Sequence, residues 1–277
     1  MPELPEVERA RRLADRVGVG RRIVSVWCAD DPIVISAGSP RRIRRALGGR
    51  TIVGTGRRGK YFWLELDRRP WPLFHLGMTG DLRCRGETPI QMESSPGVPE
   101  TDWPPRFSKL RIGLDDGAEL AFINKRRLGR LRLIDDPLAA PPVSRLGFDP
   151  LTDLPSPVEF ANRLSGRGGV VKAVLLDQGF AAGVGNWIAD EVLYQARLDP
   201  RRRADTLSRN EMDRLRRALK RVVARAVAVD ADKTRFPRTW LFHRRWGKPS
   251  DARIGGHPVE FLTVGGRTTA WVPARQR

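Results

Sequence analysis

The first six residues place an amine and two carboxylates close together in the chain. The sequence opens Met1-Pro2-Glu3-Leu4-Pro5-Glu6, and a proline in second place permits removal of the initiator methionine, which leaves Pro2 with a free secondary amine. Only the neutral form of an amine attacks carbon. An ordinary α-amino group, with a pKa of roughly 7.7–8, is about 10% neutral at pH 7, against roughly 0.04% for a lysine. The opening therefore predicts an amino-terminal nucleophile.

Glu3 and Glu6 are candidate proton-transfer groups beside that amine. The positive end of a helix that begins near Pro5, together with nearby cations, would lower the pKa of the amine further. A second interpretation stays open, and the residues alone favour it. Acidic side chains in a first helical turn also complement the helix dipole without any chemistry.

The charge balance predicts a polyanionic partner. The 277 residues include 51 Lys and Arg against 32 Asp and Glu, a formal net charge of +19, and the basic residues are spread along the chain between apolar stretches. A coding bias towards arginine would account for part of the excess. The two cysteines, Cys28 and Cys84, are too few for a disulfide framework or a four-thiolate zinc site, so an intracellular, reduced protein is expected. No signal peptide or membrane span is indicated.

Periodicity predicts elements of two kinds in the two halves of the chain. Residues 6–17 have helical spacing. Short β-prone runs then follow at 23–27, 51–54, 61–66, 110–114 and 119–123, with one further helix at 41–47 and a long loop at 87–105. Prolines cluster at 134–157, where we expect a domain boundary. Beyond it we predict helices at 158–164, 170–176, 187–196 and 209–228, with Ser208 as N-cap, and then a β-hairpin module that ends in 268–272.

The opening Pro-Glu-Leu-Pro-Glu-Val-Glu resembles that of the formamidopyrimidine-DNA glycosylase and endonuclease VIII family. The resemblance implies that Pro2 and Glu3 are catalytic, with Glu6 as a further proton-transfer candidate. The segment Arg57-Arg58-Gly59-Lys60-Tyr61 is similar to the family's turn and strand, which gives Lys60 contacts with phosphate at the lesion and a part in catalysis.

Two further segments resemble the loops that fill the space left by an extruded base. His75-Leu76-Gly77-Met78-Thr79-Gly80 implies this function for Met78, and Arg126-Arg127-Leu128-Gly129 implies that Arg126 faces the orphaned base. Leu128 stands where many members of the family have phenylalanine. An apolar wedge is kept, but stacking on a base is lost, which leaves the opposite-base preference open.

The second half resembles the family's helix–two-turns–helix segment. Leu175-Leu176-Asp177-Gln178 through Gly183-Val184-Gly185-Asn186 implies that Asn186 binds phosphate, and Lys172 is expected to add a basic contact. Members of the family usually carry a four-cysteine zinc finger near the carboxyl terminus. Because this chain has Ser250, Arg253, Val272 and Arg275 near those positions, a zincless finger is expected, with no metal and no cofactor. Arg267, at the hairpin tip, is the candidate phosphate clamp.

The resemblance implies an α+β protein of three domains. These are an N-terminal β-sandwich with flanking helices at 1–135, a helix–two-turns–helix domain at 136–230 and a zincless β-hairpin finger at 231–277. The implied activity is excision of damaged, oxidised bases through a Schiff base on Pro2, followed by strand cleavage by β,δ-elimination. The expected partner is double-stranded DNA with damaged bases or abasic sites, and the expected protein is a cytoplasmic, nucleoid-associated monomer.

Two other functions remain open. The same scaffold would serve a protein that binds damaged or distorted DNA without cutting it, an alternative suggested by Leu128 and by the missing zinc ligands. A basic RNA- or ribosome-associated protein would explain the charge alone. The complete set of Pro2, Glu3 and Lys60 favours the enzyme, because a pure binding protein has no chemical need for it.

Overall fold

The computed structural model describes residues 1–36, 38–87 and 102–277. The chain forms two compact units. Unit 1 comprises residues 1–145 and 230–233, and unit 2 comprises residues 146–229 and 234–277. Among the described residues, no helix is long and apolar enough to cross a bilayer. Most of the loop predicted at 87–105 lies outside the described residues, and the division into three domains at 135 and 230 stays a prediction.

Unit 1 begins with helix α1 (Leu4–Gly18), which confirms the helix predicted at 6–17 and starts two residues earlier. Pro5 lies in its first turn, where a missing N–H costs no helical hydrogen bond. The Glu6 carboxylate accepts the N–H of Glu3 at 2.9 Å, so the side chain satisfies a backbone donor that the helix itself leaves unpaired.

Two antiparallel sheets follow α1 within the described part of unit 1. The strands are β1 (Ile23–Cys28), β2 (Ile52–Arg58), β3 (Tyr61–Leu66), β4 (Trp71–His75), β5 (Gly80–Cys84), β6 (Ser108–Leu114), β7 (Glu119–Asn124) and β8 (Arg130–Ile134), and helix α2 (Pro40–Leu47) lies between β1 and β2. One sheet has the strand order β1-β6-β7-β5 and the other β2-β3-β4-β8. Strands β4, β5 and β8 are additional to the β-prone runs predicted from the sequence.

The core of unit 1 lies between these two sheets. Phe62 of β3 stacks on Phe74 of β4 with ring centroids 4.8 Å apart, and Phe74 meets the edge of Phe122 of β7 at 5.5 Å. Because β4 and β7 belong to different sheets, these rings join the sheets face to face. The sandwich implied by the resemblance is confirmed.

Unit 2 is helical and ends in short strands. Its helices are α3 (Pro157–Ser165), α4 (Val171–Leu176), α5 (Asn186–Ala196) and α6 (Arg209–Ala228), and its strands are β9 (Arg253–Ile254), β10 (His257–Pro258), β11 (Glu260–Val264) and β12 (Arg267–Trp271). The predicted cap of α6 is present: Ser208 Oγ accepts the Glu211 N–H at 3.3 Å, and the Glu211 carboxylate accepts the Ser208 N–H at 2.8 Å. The α+β class is confirmed.

Candidate active site and nucleic-acid interface

The amino terminus of α1 holds the predicted nucleophile and acids together. Pro2, Glu3 and Glu6 are all buried, and Glu3 is only 2% exposed. Burial, and then the negative charge of Glu3, raise the pKa of Glu6 to about 7. Near neutral pH the Glu6 carboxyl is therefore partly protonated. The Glu6 carboxylate accepts the backbone N–H of Glu3, so Glu6 helps to position Glu3.

Lys60 lies in the tight turn between β2 and β3. Arg58 pairs with Tyr61, so the loop has only two residues, and Gly59 takes a φ of 58° that glycine adopts without strain. Lys60 is buried. Burial, and then the positive charges of Lys60, Arg130 and Arg132, lower the pKa of His75 to about 4. The turn thus places a buried lysine near a histidine whose lowered pKa keeps it neutral at physiological pH.

An ion pair that the sequence analysis did not single out fixes this turn to α1. Arg57, whose side chain is 2% exposed, binds Glu8 of α1 through Nε and Oε2 at 2.9 Å. Its Nη1 also donates to the Gly59 carbonyl at 3.1 Å. Burial would raise the pKa of Glu8, but hydrogen bonds and charges from Arg11 and Arg57 outweigh it and lower that pKa. Arg57 therefore links the helix that follows Pro2 and Glu3 to the turn that carries Lys60.

The loops of Met78 and of Arg126 and Leu128 meet at one end of the sandwich. Met78 lies between β4 and β5, and residues 125–129 join β7 to β8. Buried Asn124 connects the loops, because its Nδ2 donates to the Leu76 carbonyl at 2.9 Å and its Oδ1 accepts the Gly129 N–H at 3.1 Å. Leu128 is 43% exposed, and Arg126 and part of Met78 are also accessible.

Gly77 is required for this meeting of loops. A Cβ at Gly77 would lie 2.4 Å from the Leu128 carbonyl carbon, and the backbone has a φ of 66°. Both the space and the conformation therefore exclude a larger residue. The structure therefore brings together the loops of Met78, Arg126 and Leu128, which are predicted to fill the space left by an extruded base.

A carboxylate from a distant part of unit 1 holds the 125–129 loop. Arg127 has a φ of 56°, and its guanidinium binds buried Asp31 through two contacts of 3.0 Å. Lys109 reaches the same carboxylate at 2.8 Å. Since Arg127 points towards Asp31, its neighbours on either side, Arg126 and Leu128, are left exposed.

In unit 2, the structure corrects the expectation for Lys172. We expected a surface contact with DNA, but Lys172 is 0% exposed. Its Nζ lies 2.6 Å from Asp190 Oδ1 and donates to Thr269 Oγ1 at 2.6 Å and to the Thr268 carbonyl at 3.2 Å. A buried ammonium is costly unless it is paired, and here the pairing ties α4 to the β11–β12 hairpin. Lys172 supports the hairpin and is not available to phosphate.

Asp190 is the centre of a buried charge cluster that we define as Lys172, Asp190 and Arg245. Asp190 Oδ2 accepts from Arg245 Nη2 at 2.9 Å and from the backbone N–H of Ala270 at 3.1 Å. Neither Asp190 nor Arg245 was singled out in the sequence. The signal was nonetheless present, because Asp190 follows the apolar run Trp187-Ile188-Ala189, and a buried acid needs a partner.

Asn186 begins helix α5, and its side-chain amide is held against the β11–β12 hairpin. Its Nδ2 donates to the Thr268 carbonyl at 2.8 Å, while its buried Oδ1 has no hydrogen-bond partner within the described residues. The preceding loop is held by Gln178, whose Nε2 donates to the carbonyls of Leu176 and Val184 at 2.9 and 2.8 Å. Asn186 is therefore fixed next to the hairpin tip.

Arg267 is exposed at that tip and is the first residue of β12. It pairs with Val264 across Gly265 and Gly266, which have φ values of 58° and 70°, as a two-residue turn of this kind requires. Thr268, which follows Arg267, accepts hydrogen bonds from both Lys172 and Asn186. In the part of the chain that the structure describes, no group of three or more His, Cys, Asp or Glu side chains could hold a metal ion.

Comparison with known proteins identifies the family. Three family models match the chain in succession: the formamidopyrimidine-DNA glycosylase N-terminal domain at residues 1–131, its H2TH domain at 146–238 and the formamidopyrimidine-DNA glycosylase-like C-terminal domain at 240–273. The formamidopyrimidine-DNA glycosylase of Arabidopsis thaliana is 44% identical over 277 residues, 100% of this chain and 71% of that protein. The chain belongs to the formamidopyrimidine-DNA glycosylase family. The resemblance drawn from its opening residues is confirmed, and the protein is a DNA glycosylase.

Other relatives agree with this assignment. The formamidopyrimidine-DNA glycosylase of Herpetosiphon aurantiacus is 37% identical and matches over the full length of both chains. A crystal structure of a variant of the Lactococcus lactis enzyme with DNA that contains Fapy-dG has a TM-score of 0.81 and 25% identity and covers 100% of both chains. A second structure of that enzyme, with DNA that contains an abasic site, has a TM-score of 0.80 at 24% identity, with 99% of both chains covered, and supports the fold.

Proposed function

We propose that this glycosylase excises oxidised bases from double-stranded DNA through the amine of Pro2 and then cleaves the strand by β,δ-elimination. The observation that carries the proposal is the buried Pro2–Glu3 pair at the start of α1, a helix that Arg57 fixes to the turn bearing Lys60. Such an arrangement keeps an amine, a carboxylate and a cation in fixed positions on rigid elements, as covalent catalysis requires.

The proposed chemistry begins once Met1 is removed. The neutral nitrogen of Pro2 attacks C1′ of the deoxyribose, and the glycosidic bond breaks, so that the base leaves with the bonding electrons and is protonated. The Pro2 nitrogen gives up its proton, the ring oxygen gains one, and the sugar ring opens to an iminium ion on Pro2, with Glu3 transferring protons to and from the sugar. Glu6 is the second proton-transfer candidate and holds the backbone of Glu3.

The imine then acts as an electron sink. Loss of a proton from C2′ expels the 3′ phosphate, and loss of a proton from C4′ then expels the 5′ phosphate. Lys60, next to these oxygens in the proposal, stabilises the phosphate charge. Hydrolysis of the remaining imine frees Pro2, so the amine is regenerated.

The target base has to leave the duplex before Pro2 can reach the sugar. In the proposal Met78, Arg126 and Leu128 fill the space, because their loops are joined through Asn124. Asn186 and Arg267 bind backbone phosphates, and the binding therefore weakens steeply with salt. The zincless nature of the finger, the monomeric state and a place of action with the DNA in the cytoplasm belong to the same proposal.

Borohydride trapping tests the mechanism. Protein whose amino terminus has been confirmed by mass is incubated with duplexes that carry an abasic site, 8-oxoguanine or an oxidised pyrimidine. We expect a covalent adduct that peptide mapping places on Pro2, and the lesion dependence of its yield ranks the substrates. Pro5→Ala is the matched control, since it changes a neighbouring proline without removing the amine.

Two variants make the mechanism refutable. Pro2→Gly and Glu3→Gln should both lose most base excision. Should either excise a lesion as fast as the parent, the proposed nucleophile or proton-transfer group is wrong. Lesion binding without any adduct, from a chain that begins at Pro2, would instead favour a protein that recognises damage without cutting.

A further inference from the structure

Phe107 has a solvent-exposed side chain and a backbone in an unfavourable conformation. It lies immediately before β6, is 42% exposed and has a φ of 62°. The left-handed region is disfavoured for a bulky residue, and an exposed ring adds little to the core. Neither feature stabilises the fold, and unfavourable conformations of this kind cluster at functional sites.

Two cations flank the exposed ring. Arg106 Cζ lies 5.3 Å from the ring centroid, and Lys125 Nζ lies 5.8 Å from it. Both side chains are exposed. An aromatic face beside two cations is the combination with which proteins bind unpaired nucleotides, because the ring stacks on a base while the cations attract its phosphates.

The backbone of Phe107 is hydrogen-bonded to the residue that joins the loops proposed to fill the space left by the extruded base. The Phe107 carbonyl accepts the N–H of Asn124 at 3.0 Å, and the Asn124 side chain joins the Met78 and 125–129 loops. Lys125, which lies over the ring, immediately precedes Arg126. Leu128 in the same loop offers an apolar surface but no aromatic face.

We propose that Phe107 stacks on the unpaired base opposite the extruded nucleotide, with Arg106 and Lys125 attracting the adjacent phosphates. The inference rests on the proposed function for the position of the unpaired base, since Arg126 is the residue expected to face it. It adds a specificity-determining residue outside the segments that carry the family resemblance.

Trp27 provides an internal control. It is 43% exposed and also has a cation near its ring, because Arg111 Cζ lies 4.9 Å from the centroid. Among the described residues, Trp27 belongs to β1 at the edge of its sheet and pairs with Arg111 of β6, not with the loops at 76–79 or 125–129. An effect general to exposed aromatic residues would therefore appear at both positions.

The experiment measures binding to duplexes that cannot react. Each carries a tetrahydrofuran abasic analogue opposite either a normal base or a second tetrahydrofuran, so the base to be stacked is present in one duplex and absent in the other. Phe107→Gly removes the ring and relieves the φ of 62°, which protects folding. We expect about 5- to 100-fold weaker binding when the opposite base is present and a change within about twofold when it is absent.

Further variants complete the test. Phe107→Trp should restore most of the base-dependent binding, and Trp27→Ala should leave both duplexes within about twofold of the parent. Equal losses on the two duplexes, no loss on either, or the same loss from Trp27→Ala would overturn the inference. Because the analogue forms no imine, failure of the Pro2 chemistry would be seen in the trapping experiment and would leave this result unaffected.

Discussion

Replacing Asp190 with asparagine should destabilise unit 2 more than any surface change. Asp190 is buried with Lys172 at 2.6 Å and Arg245 at 2.9 Å, and it also accepts the N–H of Ala270 at 3.1 Å. Asparagine has nearly the same shape but no charge, so two buried cations would lose their counter-ion. Removal of one partner from a buried ion pair costs about 3–5 kcal/mol, because the remaining charge stays desolvated.

The structure offers a matched control for this prediction. Asp213 and Arg217 form an exposed i,i+4 pair at 2.9 Å in α6, and Asp213→Asn should cost only about 0.3–0.5 kcal/mol. Both variants change one aspartate of a salt bridge in unit 2 to asparagine. They differ in burial, which is the quantity that the reasoning depends on.

Thermal unfolding and hydrogen exchange would measure the difference. At roughly 3 °C per kcal/mol for a unit of this size, Asp190→Asn should lower the Tm of unit 2 by roughly 10–15 °C, and the amides of β12 should exchange faster. The Asp213→Asn protein should unfold within about 2 °C of the parent. A cost below about 1 kcal/mol for Asp190→Asn would show that the cluster does not hold the hairpin.

Three further outcomes are expected. Because burial raises the pKa of Glu6 from 4.5 to about 7, the folded state holds this proton more tightly than the unfolded state, so the free energy of unfolding falls as the pH rises from 4.5 to 7. Urea titrations at several pH values should show a shallower pH dependence of that free energy in Glu6→Gln, and an unchanged dependence would contradict the prediction. Asp31→Asn keeps an oxygen that accepts the backbone N–H groups of the turn but loses the charge that binds Arg127. Excision from duplex DNA should therefore fall about tenfold, while cleavage at an abasic site in single-stranded DNA is retained. An equal loss of both activities would indicate general unfolding. Arg267→Ala should reduce the slope of log K against log salt by about 0.9, whereas Lys172→Met, buried away from phosphate, should weaken binding without that change of slope, as salt titrations would show.

Several parts of the site could be predicted because they depend on local sequence. The Pro2 and Glu3 pair at the start of α1 and the cap at Ser208 each follow from residues within four positions of one another, and the turn at Gly59 and Lys60 follows from the family resemblance of residues 57–61. Periodicity likewise predicted α1 and α6 to within two residues at either end. Between residues only a few positions apart, backbone geometry leaves few possible conformations.

Contacts between distant residues could not be predicted in the same way. The partner of Arg127 is Asp31, 96 positions away, and that of Lys172 is Asp190, with the hairpin residue Thr269 97 positions away. Lysine is a residue type that usually lies at the surface, and only the burial of Lys172 shows that it supports the hairpin. Sequence gives the charge of a side chain but not its desolvation, and desolvation decides whether a lysine meets phosphate or an aspartate.

The sequence alone determined the family, the α+β class and the chemistry available at the amino terminus, because these depend on residue types in a fixed order. Only the tertiary structure decided which side chains stay accessible. It buries Lys172 and exposes Phe107, and it joins the Met78 loop to the Arg126 loop through Asn124. Accessibility depends on what packs around a residue, and those neighbours come from strands and helices far apart in the chain.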